Sequence, residues 1–207
     1  MVTGHDLLHK YIQHHPPHTW ESNHHPIWYQ TFPNHYWDLL SAHQTNHPTD
    51  YPYDVRIFHS LVREESSFNK DIVSWAGAKG LSQLMPATAK RVGEWVNITV
   101  TNDVIFDPSS NLRIGSKYLG YLHGYFSNNP FLAVAAYNAG EGNVGKWLKS
   151  KGNLPTDMFV ESIPFRETRH YVKRVLGTYQ TYHMLYDQKT DTKVYPDFSA
   201  FNHIAKP

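Results

Sequence analysis

Residues 54–69 read Asp54-Val55-Arg56-Ile57-Phe58-His59-Ser60-Leu61-Val62-Arg63-Glu64-Glu65-Ser66-Ser67-Phe68-Asn69. The apolar positions 55, 57, 58, 61 and 62 recur at helical spacing, and Asp54 is a residue type that caps helix starts. The stretch therefore predicts a helix running to about Ser66. At about 100° per residue, with Ile57 set at 0°, Leu61, Phe58 and Val62 fall at roughly 40°, 100° and 140°. Glu65 falls at roughly 80°, in the middle of that apolar face, whereas Glu64 falls near 340°, at its edge, where water is reachable. A carboxyl group among apolar neighbours favours its neutral form, so its pKa rises. Such an acid can still donate a proton near neutral pH. The competing reading is a helix-end Glu that turns to solvent or pairs with Arg63 or Lys70, because helix ends fray and buried acids are uncommon.

Outward from this segment the pattern stays helical. Pro86 opens a second helix carrying Ala89, Val92 and Trp95, and Asp107-Pro108 opens a third with Leu112, Gly115, Leu119, Leu122 and Phe126. A fourth starts at Pro130 and stops near Asn138-Ala139-Gly140, where Gly supplies the stop. A short fifth covers Val144 to Lys149, and a long last helix runs from about Arg166 to Tyr186 with Val172, Val175, Tyr179 and Tyr182 on one side. Residues 97–104 are the only modest strand candidate. The expected fold class is mainly α, a lysozyme-sized single catalytic domain.

The 207 residues suffice for one domain with a sizeable core and are short for two. A net charge of +1 with scattered Lys and Arg argues against a nucleic-acid partner. There is no cysteine, so disulfides and thiolate metal sites are excluded. No stretch is apolar enough to span a membrane, and the N-terminus lacks the basic and apolar regions of a secretory signal. Ten of the fifteen histidines (His5, His9, His14, His15, His18, His24, His25, His35, His43 and His47) fall in the first 50 residues. That segment is expected to lie on the main domain as short helices and loops. Imidazole is a common metal ligand, but no zinc-type spacing is present. No metal site and no cofactor are expected, and chelation should leave activity intact. The tail from residue 188 is polar and aperiodic.

Four blocks, in order, resemble one family. Arg63-Glu64-Glu65-Ser66-Ser67-Phe68-Asn69 is similar to the Arg-x-Glu-Ser-x-Phe/Trp-Asn segment of soluble lytic transglycosylase catalytic domains. These belong to glycoside hydrolase family 23, which also holds the goose-type lysozymes. Gly77-Ala78-Lys79-Gly80-Leu81-Ser82-Gln83-Leu84-Met85-Pro86 resembles the Gly-Ala-x-Gly-Leu-Met-Gln-x-Met-Pro block. Ala136-Tyr137-Asn138-Ala139-Gly140 resembles the Ala-Tyr-Asn-Ala-Gly block, and residues 161–172 the final Glu-x-Ile-Pro-Phe-x-Glu-Thr-Arg-x-Tyr-Val block. The stretch Pro33 to Asp38 also resembles the lead-in to this domain in the periplasmic soluble enzymes. The resemblance covers roughly residues 33–186. It suggests an extension over 1–32, a catalytic domain over 33–187 and a tail over 188–207. The sequence departs from the pattern at Ser82, where Met is usual in a segment that lines the groove, and at Trp75, where Pro is common. The chain is too short to hold also the large helical superstructure that precedes this domain in some members.

The resemblance implies cleavage of the bond between N-acetylmuramic acid and N-acetylglucosamine in peptidoglycan glycan strands, in the periplasm or cell envelope. Glu65 would protonate the leaving oxygen and then take the proton of the muramoyl C6 hydroxyl, which closes a 1,6-anhydro ring. Because the nucleophile belongs to the substrate, a second carboxylate is not required, unlike the usual two-carboxylate glycosidases. Ser74, Gln83, Met85 and Tyr137 would line the groove, Asn138 would support it, and Tyr171 would sit near Glu65. By spacing alone, Met85 and Tyr137 read equally as core, Gln83 and Asn138 as helix caps, and Glu161 and Glu167 as helix-terminus acids. Two other functions compete: a hydrolytic muramidase like the goose-type lysozymes, and a non-catalytic peptidoglycan-binding protein. A monomer is expected.

Overall fold

Asp54 caps its helix: its carboxylate accepts the backbone N–H of Arg56 at 2.8 Å, one of the donors a helix start leaves unpaired. The structure, a computed structural model, describes residues 26–46 and 53–186. In chain order these form helices α1 (Pro26–Thr31), α2 (Trp37–Asn46), α3 (Val55–Ser66), α4 (Pro86–Trp95) and α5 (Asn102–Phe106). There follow α6 (Pro108–Tyr125), α7 (Pro130–Ala139), α8 (Glu141–Lys151), α9 (Thr156–Glu161) and α10 (Arg166–Tyr186). The mainly α expectation holds. Proline opens α4, α6 and α7 as expected, and the Asp107 and Asn129 side chains accept the first free N–H groups of α6 and α7. The fifth expected helix is longer than its apolar pattern, because Glu141 starts it directly after the Gly140 stop.

Residues 97–104 are not a strand. Ile98 N–H turns back to the Gly93 carbonyl at 2.8 Å, and Thr101 caps α5 by accepting the Val104 N–H. Among the described residues the only strand-like pairings are two isolated bridges, Val73 with Lys79 and Lys79 with Leu84. They shape the loop between α3 and α4.

Helix α7 sits at the centre: Leu132, Ala133, Val134, Ala135 and Ala136 are all buried, and the helix packs on α6, α8 and α10. The alanines are small enough to let the neighbouring helices approach closely. Fully burying a side chain such as Phe58 or Leu61 contributes about 1.5–3 kcal/mol each.

Helix α3 runs antiparallel to α10. Asp54 at its start meets Tyr179 and His183 at 2.8 and 2.9 Å, Glu64 meets Thr178 at 2.7 Å, and Glu65 meets Tyr171 at 2.6 Å. On its other side α2 packs against it. Arg56, His59 and Ser60, which lie off the apolar stripe, are therefore buried as well. The Arg56 guanidinium lies 3.4 Å from the centroid of the Trp37 ring and donates to Asn34 at 3.0 Å. The His59 ring meets Phe68, Trp37 and Tyr182, and burial pulls its pKa from 6.5 down to about 4, so it is neutral at physiological pH. Trp28, Tyr29 and Phe32, which precede residue 33, pack against this same core.

Most of the His-rich segment and the whole tail lie outside the described residues. Of its histidines, His35 accepts from His59 through its carbonyl and His43 meets Ser109. Among the described residues no three His, Cys, Asp or Glu come together as a metal ion would need, and no helix is long and apolar enough to cross a membrane.

Candidate active site

Glu65 lies one residue before the end of α3, and the chain turns sharply after it. Ser67 and Phe68 both adopt left-handed backbone, at φ 49° and 63°, which costs a non-glycine residue on the order of 1 kcal/mol or more. Three contacts hold the turn. Ser67 N–H closes on the Arg63 carbonyl at 2.9 Å, the Ser66 hydroxyl accepts Phe68 N–H at 3.1 Å, and Phe68 buries its ring against His59. Strain that is held in place by buried packing is a recurrent mark of a functional site.

The Glu65 carboxyl accepts the Tyr171 hydroxyl at 2.6 Å, across 106 residues of sequence. Burial raises its pKa from the ordinary 4.5 to about 7. The Tyr171 hydrogen bond and the Arg174 charge pull the other way, while Glu167 and Glu64 add to the rise. Burial, followed by the Glu65 charge, pushes the phenols of Tyr171 and Tyr137 well above 10, so both remain neutral donors. Replacing Tyr171 by Phe removes the bond that favours the ionised carboxyl. The Glu65 pKa then rises further above 7, as carboxyl-carbon NMR titration of the two forms will read.

Glu64 departs from its expected place in water. One oxygen meets Arg63 at 2.6 Å and Thr178 at 2.7 Å, the other meets Arg174 at 3.2 Å, and its side chain is only 10% exposed. It borders a separate cavity of about 620 Å³ lined by Thr31, Phe32, Lys173 and Gly177 among others. Helix α10 covers the edge of α3 that periodicity assigned to solvent. The two adjacent acids thus differ in kind: Glu64 is ion-paired, and Glu65 is held by a neutral phenol. Arg63 is taken by Glu64, and Lys70 by Asp71 at 2.7 Å, which removes both pairing alternatives for Glu65.

The other expected site residues divide into those tied to this centre and those on the adjoining loop. Tyr137, at the end of α7, lies close enough for the Glu65 charge to act on its hydroxyl, which donates to the Ser82 carbonyl at 2.9 Å. The Asn138 side-chain oxygen accepts the Thr168 hydroxyl at 2.6 Å, joining α7 to the turn of α10 before Tyr171. Gln83 stands at φ 46° and donates to the Gly80 and Ile72 carbonyls at 2.8 and 3.3 Å, so its amide knits the loop together. The Ser74 hydroxyl accepts Ala78 N–H at 2.9 Å inside the same loop. Met85 follows directly and is 45% exposed.

Ser82, the departure from the family pattern in the segment expected to line the groove, faces inward. It is fully buried, and its hydroxyl donates to Asn111 at 2.7 Å. A Cβ on Gly115 would collide with the Ser82 hydroxyl and lie 2.9 Å from the Phe58 ring, so only glycine on α6 admits the loop this deeply. Asn111 itself was not among the expected site residues. Its oxygen accepts both Ser82 N–H (2.9 Å) and Ser82 Oγ, and its amide donates to the Ile105 and Lys79 carbonyls at 2.8 and 3.3 Å. It anchors the loop that carries Ser74, Gln83 and Met85. A signal was available: Asn111 lies four residues before Gly115 and eight before Leu119, on the apolar stripe of α6, the same anomaly that singles out Glu65 on α3.

Residues 47–160 match the family described as the transglycosylase SLT domain, and residues 162–193 match the soluble lytic transglycosylase helical domain. The chain is 39% identical over 157 residues to the soluble lytic murein transglycosylase of Escherichia coli K12, covering 74% of this chain and 24% of that protein. It is 36% identical over 170 residues to a putative soluble lytic murein transglycosylase of Haemophilus influenzae, covering 77% and 28%. The crystal structure of the 70 kDa soluble lytic transglycosylase from Escherichia coli superposes with a TM-score of 0.76 at 33% identity, over 86% of this chain and 28% of that one. The chain thus spans about a quarter of the length of these relatives.

Proposed function

The chain belongs to the transglycosylase SLT-domain family, and from that premise we propose that it is a lytic transglycosylase. In this reading it cleaves the MurNAc-β-1,4-GlcNAc bond of peptidoglycan with Glu65 as the single acid and base. The observation that carries the reading is the state of Glu65: a carboxyl group whose pKa burial raises to about 7, held by a neutral phenol at 2.6 Å.

An acid that is half protonated near neutral pH can both give and take a proton there. Tyr171 donates to one oxygen of Glu65 and so leaves the other free to carry the proton. That proton passes to the glycosidic oxygen as the bond from the muramoyl anomeric carbon breaks. The carboxylate then takes the proton of the muramoyl C6 hydroxyl, and the C6 oxygen bonds to the anomeric carbon. One C–O bond breaks, one forms, and the acid returns to its starting state without consuming water. A tethered hydroxyl has a high effective concentration, which favours it over solvent where the groove excludes water. Tyr137, Gln83, Ser74 and Met85 contact the glycan in this reading, and Asn138 holds α7 against α10. The substrate points to the periplasm or cell envelope.

Glu167 favours one second reading. It stands in the first turn of α10, and its charge reaches Glu65; a carboxylate so placed could instead direct a water, as in a hydrolytic muramidase. Digestion of purified sacculi in ¹⁸O-water followed by mass spectrometry separates the two. The expected products carry unlabelled 1,6-anhydromuramoyl ends, one water lighter than reducing ends. Labelled reducing ends as the main product would replace transglycosylation by hydrolysis and leave Glu65 as the acid.

A further inference from the structure

One set of aromatic side chains runs outward from the core, through buried Tyr118, to three exposed rings that serve neither the core nor Glu65. Tyr118, Tyr121 and Tyr125 stand three and four residues apart along one face of α6, and Trp95 ends α4 beside them. Trp95, Tyr121 and Tyr125 are 41%, 38% and 52% exposed. Their rings nevertheless touch in series. Tyr137, next to Glu65, lies 5.3 Å from Tyr118; Tyr118 lies 6.5 Å from Tyr121 with the rings nearly parallel; Tyr121 lies 5.9 Å from Tyr125 and 5.1 Å from Trp95. The result is an unbroken aromatic path from the candidate active site onto open surface.

Polar groups flank the path. Arg91 lies 5.5 and 5.7 Å from the Trp95 and Tyr118 ring centroids and pairs with Glu141 at 3.4 Å, and the Tyr118 hydroxyl donates to Glu141 at 3.2 Å. Grouped exposed aromatics mark binding surfaces more often than scattered ones do. Here the chemistry narrows the occupant. A pyranose ring offers an apolar C–H face and a rim of hydroxyl and acetamido groups, which matches flat aromatic faces edged by a neutral Arg–Glu pair and phenol hydroxyls. An apolar helix from a protein partner would have to bury the partly exposed Arg91–Glu141 pair, which is costly unless every group stays paired.

We infer that this path binds the saccharides of a glycan strand distal to the bond being cleaved, stacking successive sugars on Tyr121, Trp95 and Tyr125. The inference rests on the transglycosylase reading for the identity of the polymer. It assigns these residues a holding role that bears on long strands, with no part in the chemistry.

The test uses the full chain carrying Glu65→Gln, which does not digest its target, in co-sedimentation with purified sacculi. Adding Tyr121→Ala or Trp95→Ala is expected to weaken binding by about fivefold to tenfold each, the range for loss of one aromatic contact. Tyr121→Phe is expected to retain binding, because it keeps the flat face, and Tyr121→Leu to lose it as Ala does. In the otherwise unsubstituted chain the same changes raise KM for sacculi rather than lower kcat. Undiminished binding by the Ala variants overturns the inference. So does rescue by Leu equal to that by Phe, which would indicate a general apolar docking patch for a protein or a second copy of the chain. Because binding is read without turnover, failure of the anhydro-product test leaves this result interpretable on its own.

Discussion

Replacing Glu65 by Gln lowers release of soluble muropeptides from sacculi by at least about a hundredfold, the scale of a lost general acid. The same substitution stabilises the fold at neutral and alkaline pH. In the folded chain Glu65 holds its proton until about pH 7, whereas an unfolded chain releases it near 4.5. Below 4.5 both states are protonated and the residue costs nothing. Between 4.5 and 7 the folded state binds the extra proton, so stability falls as pH rises, and above 7 the full penalty stands at up to about 3 kcal/mol. Gln carries no charge and escapes this penalty. Thermal unfolding of the two forms should coincide at pH 4 and diverge by pH 8, with the variant melting about 5–10 °C higher. A Glu65→Gln chain that keeps more than a few per cent of activity would remove Glu65 from the chemistry. A variant less stable at pH 8 would mean that the carboxyl is solvated or paired. Glu64→Gln is the matched control. It retains activity at pH 6, since Glu64 is bound to Arg63, Arg174 and Thr178. By removing a like charge it lowers the Glu65 pKa, so its activity declines at a lower pH than that of the parent, opposite to Tyr171→Phe.

Asn111→Ala is expected to destabilise the fold by about 3–5 kcal/mol, because it strands the buried Ser82 N–H and takes from the Ile105 carbonyl its Asn111 donor, while the Lys79 carbonyl keeps only the Leu84 N–H. Its distinctive effect is local. Ser82 is the point at which α6 and, through its carbonyl, Tyr137 both grip the loop. Without Asn111 the loop carrying Ser74, Gln83 and Met85 loosens, and activity falls at least about tenfold even at temperatures where the helices remain folded. Hydrogen exchange should show Ser82 and Leu84 amides losing protection while those of α7 keep theirs. Equal loss of protection throughout would make Asn111 a general core residue instead of the loop's anchor. Should the Ala variant fail to fold, Asn111→Asp retains the acceptor toward Ser82, loses the donors, and is expected to show the same local pattern more mildly.

The helices were legible in the sequence wherever an apolar stripe was long or was joined by a cap or a proline start: α3, α4, α6, α7 and α10 stand within a residue or so of where those signals put them. Short helices α5 and α9 were missed, and α1 and α2 were expected only as short helices without bounds, since a few turns of mixed polarity carry little periodic signal and form because the core receives them. Glu65 was legible too, because a charged residue in the centre of an apolar stripe stands out before any fold is known. Periodicity describes one helix against an undivided solvent, however, and so it put Glu64 at the wet edge of α3 and gave no reason to expect Arg56 and His59 to be buried. Helix α10, arriving from more than a hundred residues away, and α2, arriving from the other side, bury that face. They convert Glu64 into an ion pair with Arg174 and leave Glu65 facing the phenol of Tyr171. Which of two neighbouring acids is neutralised by charge and which is left to hold a proton depends on the dielectric and the donors that surround each one. Local sequence can place a carboxyl on a stripe; only the packing of distant helices sets its pKa.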